Sequence, residues 1–161
     1  MTIPPRIVLS ICLFAGAASA AMTVEEVRLR ALGGEQVRPL DSVVIETGVF
    51  GEDQERNNKV KGRLQMTPEV KINGEGKGWL SKPFSCPENE RQLGRYVSAS
   101  NGTLASILGI VSNFTIKDCI LFTASPAAGD VEIEAQANGK STKLKLQVTP
   151  GAQARSKSEE V

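Results

Sequence analysis

Asp130-Val131-Glu132-Ile133-Glu134-Ala135-Gln136 alternates polar and apolar side chains, and so does Ser141-Thr142-Lys143-Leu144-Lys145-Leu146-Gln147-Val148. Between them lies Asn138-Gly139, suited to a two-residue type I′ turn because both central positions need positive φ. A hairpin closed there sets Val131 against Leu146 and Ile133 against Leu144 on one face. On the other, Glu132 meets Lys145 and Glu134 meets Lys143. Slipping the register by one residue would send the charged row into the core, so this pairing is tightly specified. The glutamate–lysine row reads as a solvated sheet face, each pair worth at most ~1 kcal/mol.

The rest of the chain repeats the pattern in short pieces. Residues 27–31 read as an opening strand, and Pro39-Leu40-Asp41 as a turn into a strand over residues 42–50 with Val43, Ile45, Thr47 and Val49 on one face. Residues 51–58 are polar and read as a loop. Residues 59–66 alternate again, with Val60, Leu64 and Met66 on one side and Lys59, Lys61, Arg63 and Gln65 on the other. Further strands are expected at residues 70–72, 79–84 and 96–98. Cys119 to Thr123 is a continuous apolar run, as in a strand buried on both faces. Residues 103–112 carry both helical spacing and two glycines, leaving helix or strand open. The expected fold is an all-β antiparallel sandwich of about seven to nine strands.

The phrase from Leu121 to Ala135, continued by Asn138-Gly139-Lys140-Ser141 and a closing strand, resembles bacterial immunoglobulin-like (Big-type) domains, and the match covers mainly residues 117–149. Members of that family often end in F-T-A-x-P-x-x-x-G-x-V-x-I-x-A, a short turn and an alternating strand. The resemblance implies an immunoglobulin-like β-sandwich with a structural or protein-interaction role at a cell surface. Trp79 is a candidate for the buried tryptophan of antibody-type cores. The Cys86 and Cys119 spacing does not match the antibody B–F bridge.

Arg6, an apolar run over residues 7–17 and Ala18-Ser19-Ala20 describe a secretory signal peptide cut before Ala21. The run is too short for a membrane span, which needs ~20 apolar residues. Cys12 follows the bulky Ile11 in mid-run, unlike a lipobox cysteine. The expected organisation is a signal peptide over residues 1–20, one domain over 21–149 and a disordered tail or linker over 150–161. The full chain has 19 basic and 18 acidic residues, so losing Arg6 leaves them balanced. That argues against nucleic-acid binding. In an oxidising compartment Cys86 and Cys119 read as a disulfide, with two separate buried thiols as the alternative.

The chain has no histidine, which removes Ser-His and Cys-His nucleophile systems and leaves zinc short of ligands. No enzyme activity and no cofactor are expected. Glu52, Asp53, Glu55 and Asn57 gather oxygen donors of the kind calcium takes, although a polar hairpin tip has the same composition. Trp79 and Tyr96 are the candidate rings for stacking on sugar, with core placement the competing reading for Trp79. The expected function is an exported, non-catalytic interaction module whose partner is a protein or a surface polysaccharide, the alternative being a carbohydrate-binding module.

Overall fold

A computed structural model describes residues 21–55, 58–94, 96 and 116–152, with backbone alone for Ala21, Gln54, Glu55 and Asn58. The elements are β1 (Ala21–Ala31), β2 (Gln36–Val37), β3 (Ser42–Glu55), β4 (Asn58–Arg63), β5 (Glu69–Asn73), β6 (Gly78–Leu80), a 3-10 turn at Glu88–Glu90, β7 (Cys119–Ala124), β8 (Gly129–Ala137) and β9 (Lys140–Val148). One sheet runs β1-β3-β7-β6, with β4 also paired to β3, and the other runs β2-β9-β8-β5. All pairings are antiparallel except β2 with β9.

Period-two alternation supplies the core. Val43, Ile45, Ile120, Phe122 and Ala124 from the first sheet meet Val37, Val131, Ile133, Leu144, Leu146 and Val148 from the second. The two sheets thus share one apolar layer, as alternating strands demand. A smaller cluster of Val24, Val27, Val49, Leu64, Ala135 and Ala137 extends it toward the β3–β4 hairpin. Among the described residues the chain is all-β, and no helix is long and apolar enough to cross a membrane.

The β8–β9 hairpin has the register read from the sequence, including Val131 opposite Leu146 and Glu132 opposite Lys145. Asn138 and Gly139 have φ of 44° and 78°, as the type I′ turn requires. The ion pairs differ from the expected direct ones. Lys143 Nζ lies 3.2 Å from Glu132, its diagonal neighbour, and Lys71 of β5 lies 3.7 Å from Glu134. Sheet twist and long side chains favour such diagonals, and β5 adds Lys71 and Asn73 to the face. Asn73 Nδ2 donates to Glu132 at 2.8 Å and to Glu134 at 3.1 Å.

Two expectations are corrected. Residues 51–58 are largely strand, because β3 continues to Glu55 and pairs with both β1 and β4. Polar composition does not prevent a ladder when neighbours on both sides satisfy the backbone. The strand over residues 79–84 shortens to Gly78–Leu80, with Phe84 making one bridge to Cys119. Pro83 lacks the N–H needed to continue it. After β9, Thr149 N donates to Val37 O and Ala152 N to Thr149 O. The signal segment 1–20, residues 97–98, the helix-or-strand stretch 103–112 and residues 153–161 lie outside the described residues.

The turn before β3 is closed by Asp41 N donating to Arg38 O at 3.1 Å. Pro39 takes its second position and Leu40 its third, with φ of 66°. A positive φ there favours glycine or asparagine. Leu40 nevertheless holds it with its side chain 61% exposed. Replacing Leu40 by Asn is expected to raise stability by about 1 kcal/mol, the scale of left-handed strain in an L-residue. A thermal melt that does not rise would show that the leucine makes contacts offsetting the strain.

Candidate functional site

β3 changes partner part-way along. On one side it pairs with β7 over Ser42–Glu46 and with β4 over Phe50–Glu55. At the gap Thr47 N donates to Asp118 O at 2.7 Å, and Leu64 N to Val49 O at 2.7 Å. The end of β4 and the approach to β7 therefore converge there, and with them Arg63 and Asp118. Both are buried, as is Glu46 on the outward face of β3.

A buried ionic cluster fills the gap. Asp118 accepts from Cys86 N at 2.8 Å, Arg91 Nε at 2.8 Å, Tyr96 Oη at 2.9 Å and Arg63 Nη2 at 3.4 Å. Glu46 accepts from Arg30 Nη2 at 3.0 Å and from the backbone N–H groups of Gln92 and Leu93, with Arg63 Nη1 3.6 Å away. Arg63 also donates to Thr47 O at 2.6 Å and to Gly94 O at 3.3 Å, and its guanidinium carbon lies 4.4 Å from the Tyr96 ring centroid. Arg30 reaches Glu90 O at 2.9 Å. Cys86 and Cys119 form a disulfide with Cα atoms 5.0 Å apart. A Cβ on Gly48 would stand 2.8 Å from the Phe50 ring and 3.2 Å from Leu93 Cδ1, so glycine leaves room for that ring and for this segment over the sheet.

Burial pushes Asp118 upward, but the Cys86 N–H, Arg91 and the Tyr96 hydroxyl outweigh it and hold the carboxyl below the usual carboxylate range. Burial raises the Tyr96 phenol well above its ordinary value, with Arg63 opposing and Asp118 reinforcing. At neutral pH the phenol is therefore a neutral donor to an ionised carboxylate. Both acids are committed to arginine, so the arrangement works as a clamp fastening residues 86–94 and Tyr96 over the outer face of the first sheet.

Arg63 belongs to the polar side of residues 59–66, yet its side chain is 1% exposed, roofed by the segment that the clamp fastens. Tyr96 is no open stacking ring, since its hydroxyl is spent on Asp118 and a face on Arg63. Trp79 also departs from the core reading and is 59% exposed. It sits opposite Thr123 on the edge strand β6, directed away from the Phe122 side. Gly78 allows this close edge, because a Cβ there would press on Thr123 O and the Phe122 ring.

Of the four calcium candidates, Glu52 and Asp53 have described side chains. Glu52 pairs with Lys61 at 3.2 Å, and Asp53, next along β3, points to the opposite face. Asn57 and the side chain of Glu55 lie outside the described residues. Among those described, no three acidic or cysteine side chains group to hold a metal. Glu132 is held below the usual carboxylate range by Asn73 and Lys143, which makes it a poor proton donor at neutral pH.

Fold and clamp define a class, an all-β domain of two facing sheets with a disulfide-anchored ionic cluster on one outer face. No family model matches this chain, and neither a curated protein nor a solved structure matches it.

Proposed function

We propose that the chain is an exported, non-catalytic immunoglobulin-like domain with a structural or protein-interaction role outside the cytoplasm. Strand order carries this reading. In order along the chain, β1-β3-β7-β6 facing β5-β8-β9 corresponds to strands A-B-E-D against C-F-G of the immunoglobulin sandwich. The short β2 adds itself beside the last strand. The disulfide starts from the E-equivalent strand and is not the B–F bridge, so it is a separate device. A buried disulfide suits an oxidising compartment, and the basic, apolar and Ala18-Ser19-Ala20 sequence of residues 6–20 supports export. The engaged acids and the absence of histidine support a non-catalytic role.

Export is tested by N-terminal sequencing and thiol titration of the protein from fractionated cells. The expected result is a mature start at Ala21, no free thiol and an extracytoplasmic location; an uncut cytoplasmic chain overturns export. Contact with protein is tested by a photo-crosslinking residue at Lys71 on β5, the edge of the second sheet among the described residues and of the kind that accepts a partner strand. A discrete cross-linked protein outside the cytoplasm is expected, and its absence there and from the β1 edge removes that role.

A second reading is favoured by one observation, the exposed indole of Trp79. A carbohydrate-binding surface would use it as a stacking ring, without Tyr96.

A further inference from the structure

We propose that the corner centred on Trp79 and Leu40 is a platform for an acidic polysaccharide, with the indole stacked on a sugar ring and Arg38, Lys77 and Lys82 meeting its anionic groups. The proposal rests on the carbohydrate reading of Trp79 and names the class of glycan.

Two chain segments meet there on the end of β7. Leu40 N donates to Ala124 O at 3.2 Å, and Ala124 N to Asp41 O at 2.9 Å. From the other side Gly78 pairs with Ala124 and Trp79 with Thr123, while Ser125 N donates to Lys77 O. The turn carrying Leu40 and the edge strand carrying Trp79 are therefore anchored to adjacent residues. Among the described residues the exposed large hydrophobic side chains are Met22, Leu40 and Trp79, and two of the three stand at this corner. Leu40 is held outward by a backbone conformation that leucine disfavours, and strain kept at an exposed apolar residue points to use rather than packing.

The surroundings select the ligand. Ser42 Oγ and Thr123 Oγ1, 2.8 Å apart, extend the row from Trp79 across the sheet. Arg38, Lys77 and Lys82 are exposed and, like Lys59, Lys117, Lys140 and Lys145, have no ion-pair partner among the described residues, whereas Arg28, Arg30, Lys61, Arg63, Lys71, Arg91 and Lys143 have one. The acids in the same two segments are Glu75 and the half-buried Asp41, which leaves a surplus of positive charge on a chain that is nearly neutral as a whole. The apolar part consists of two side chains ringed by hydroxyls and cations. That is small for a protein interface, which buries ~1,200–2,000 Å². It fits one pyranose face, whose C–H groups suit an indole π-face, with carboxylate or sulfate groups reaching the rim.

The test titrates the purified, disulfide-bonded protein with polygalacturonate, its fully methyl-esterified form and poly-glutamate. Polygalacturonate is expected to bind, the neutral ester and poly-glutamate at least about tenfold more weakly, and added salt to weaken binding. Trp79→Ala is expected to lose at least about tenfold in affinity with an unchanged melt, and Lys77→Glu with Lys82→Glu to lose a similar amount. Leu40→Asn tests the strained turn, with weaker binding despite higher stability expected. Equal binding of the ester would overturn the acidic class and keep the carbohydrate reading. Binding of neither polymer would overturn both. Binding of poly-glutamate as tight as that of polygalacturonate, or affinity untouched by Trp79→Ala, would reduce the corner to a charged surface and overturn the proposal.

Discussion

Replacing Asp118 by Ala is expected to destabilise the protein by about 3–5 kcal/mol, the range for removing one partner of a buried ion pair. The reason lies with what stays behind. Arg63 is 1% exposed and would keep a buried charge facing only Glu46, 3.6 Å away. The Cys86 N–H and the Tyr96 hydroxyl would lose their acceptor in the same step. A melting temperature about 10–20 °C lower follows for a domain of this size. A shift under about 2 °C would mean that the cluster is solvated and the clamp unimportant.

The same carboxylate fixes a pH dependence. Its folded pKa is depressed, so it stabilises the fold above the unfolded value of about 4. That contribution is lost as pH falls through the lower folded value. Acid unfolding monitored by far-UV circular dichroism is therefore expected to be shallower for Asp118→Asn than for the parent chain. Tyr96 runs the opposite way: its raised phenol supports the fold below about pH 10, and ionisation at higher pH removes the donor.

What was legible in the sequence was whatever a strand pair states locally. Alternation over residues 130–148 and one Asn-Gly turn determine nine paired positions, because neighbouring residues alone decide which face is wet. Arg63 shows where that logic stops. It alternates with Val60 and Leu64 like any surface cation, and among the described residues it is the segment over residues 86–94 and Tyr96 that makes its side of β4 an interior. That segment has no periodicity of its own. Its one sequence marker is Cys86, whose bridge to Cys119 places it against Asp118, and Gly48 is a second trace of the covering. Trp79 failed the average burial of its type for another reason. β6 lies at a sheet edge, and alternation sets Trp79 beside Thr123 on the outer face, away from Phe122.

Replacing Cys86 and Cys119 together by Ala is expected to cost about 3–4 kcal/mol, since the bridge closes a loop with a sequence separation of 33 and loop-closure entropy sets that scale. The more informative experiment crosses this change with Asp118→Ala. Cys86 donates its N–H to Asp118, and Cys119 follows Asp118 in the chain. Bridge and carboxylate therefore fasten one segment to one place on β7. Independent staples would give additive losses. Two fastenings of one segment should not, because once the segment is released by reduction the arginines can reach solvent and the remaining carboxylate holds little. The double-mutant cycle is expected to show a coupling of about 1–3 kcal/mol, with Asp118→Ala costing less in the bridge-free protein than in the oxidised one. Additivity within about 0.5 kcal/mol would separate the two devices and leave the ionic cluster as a core feature of β3, β4 and β7 alone.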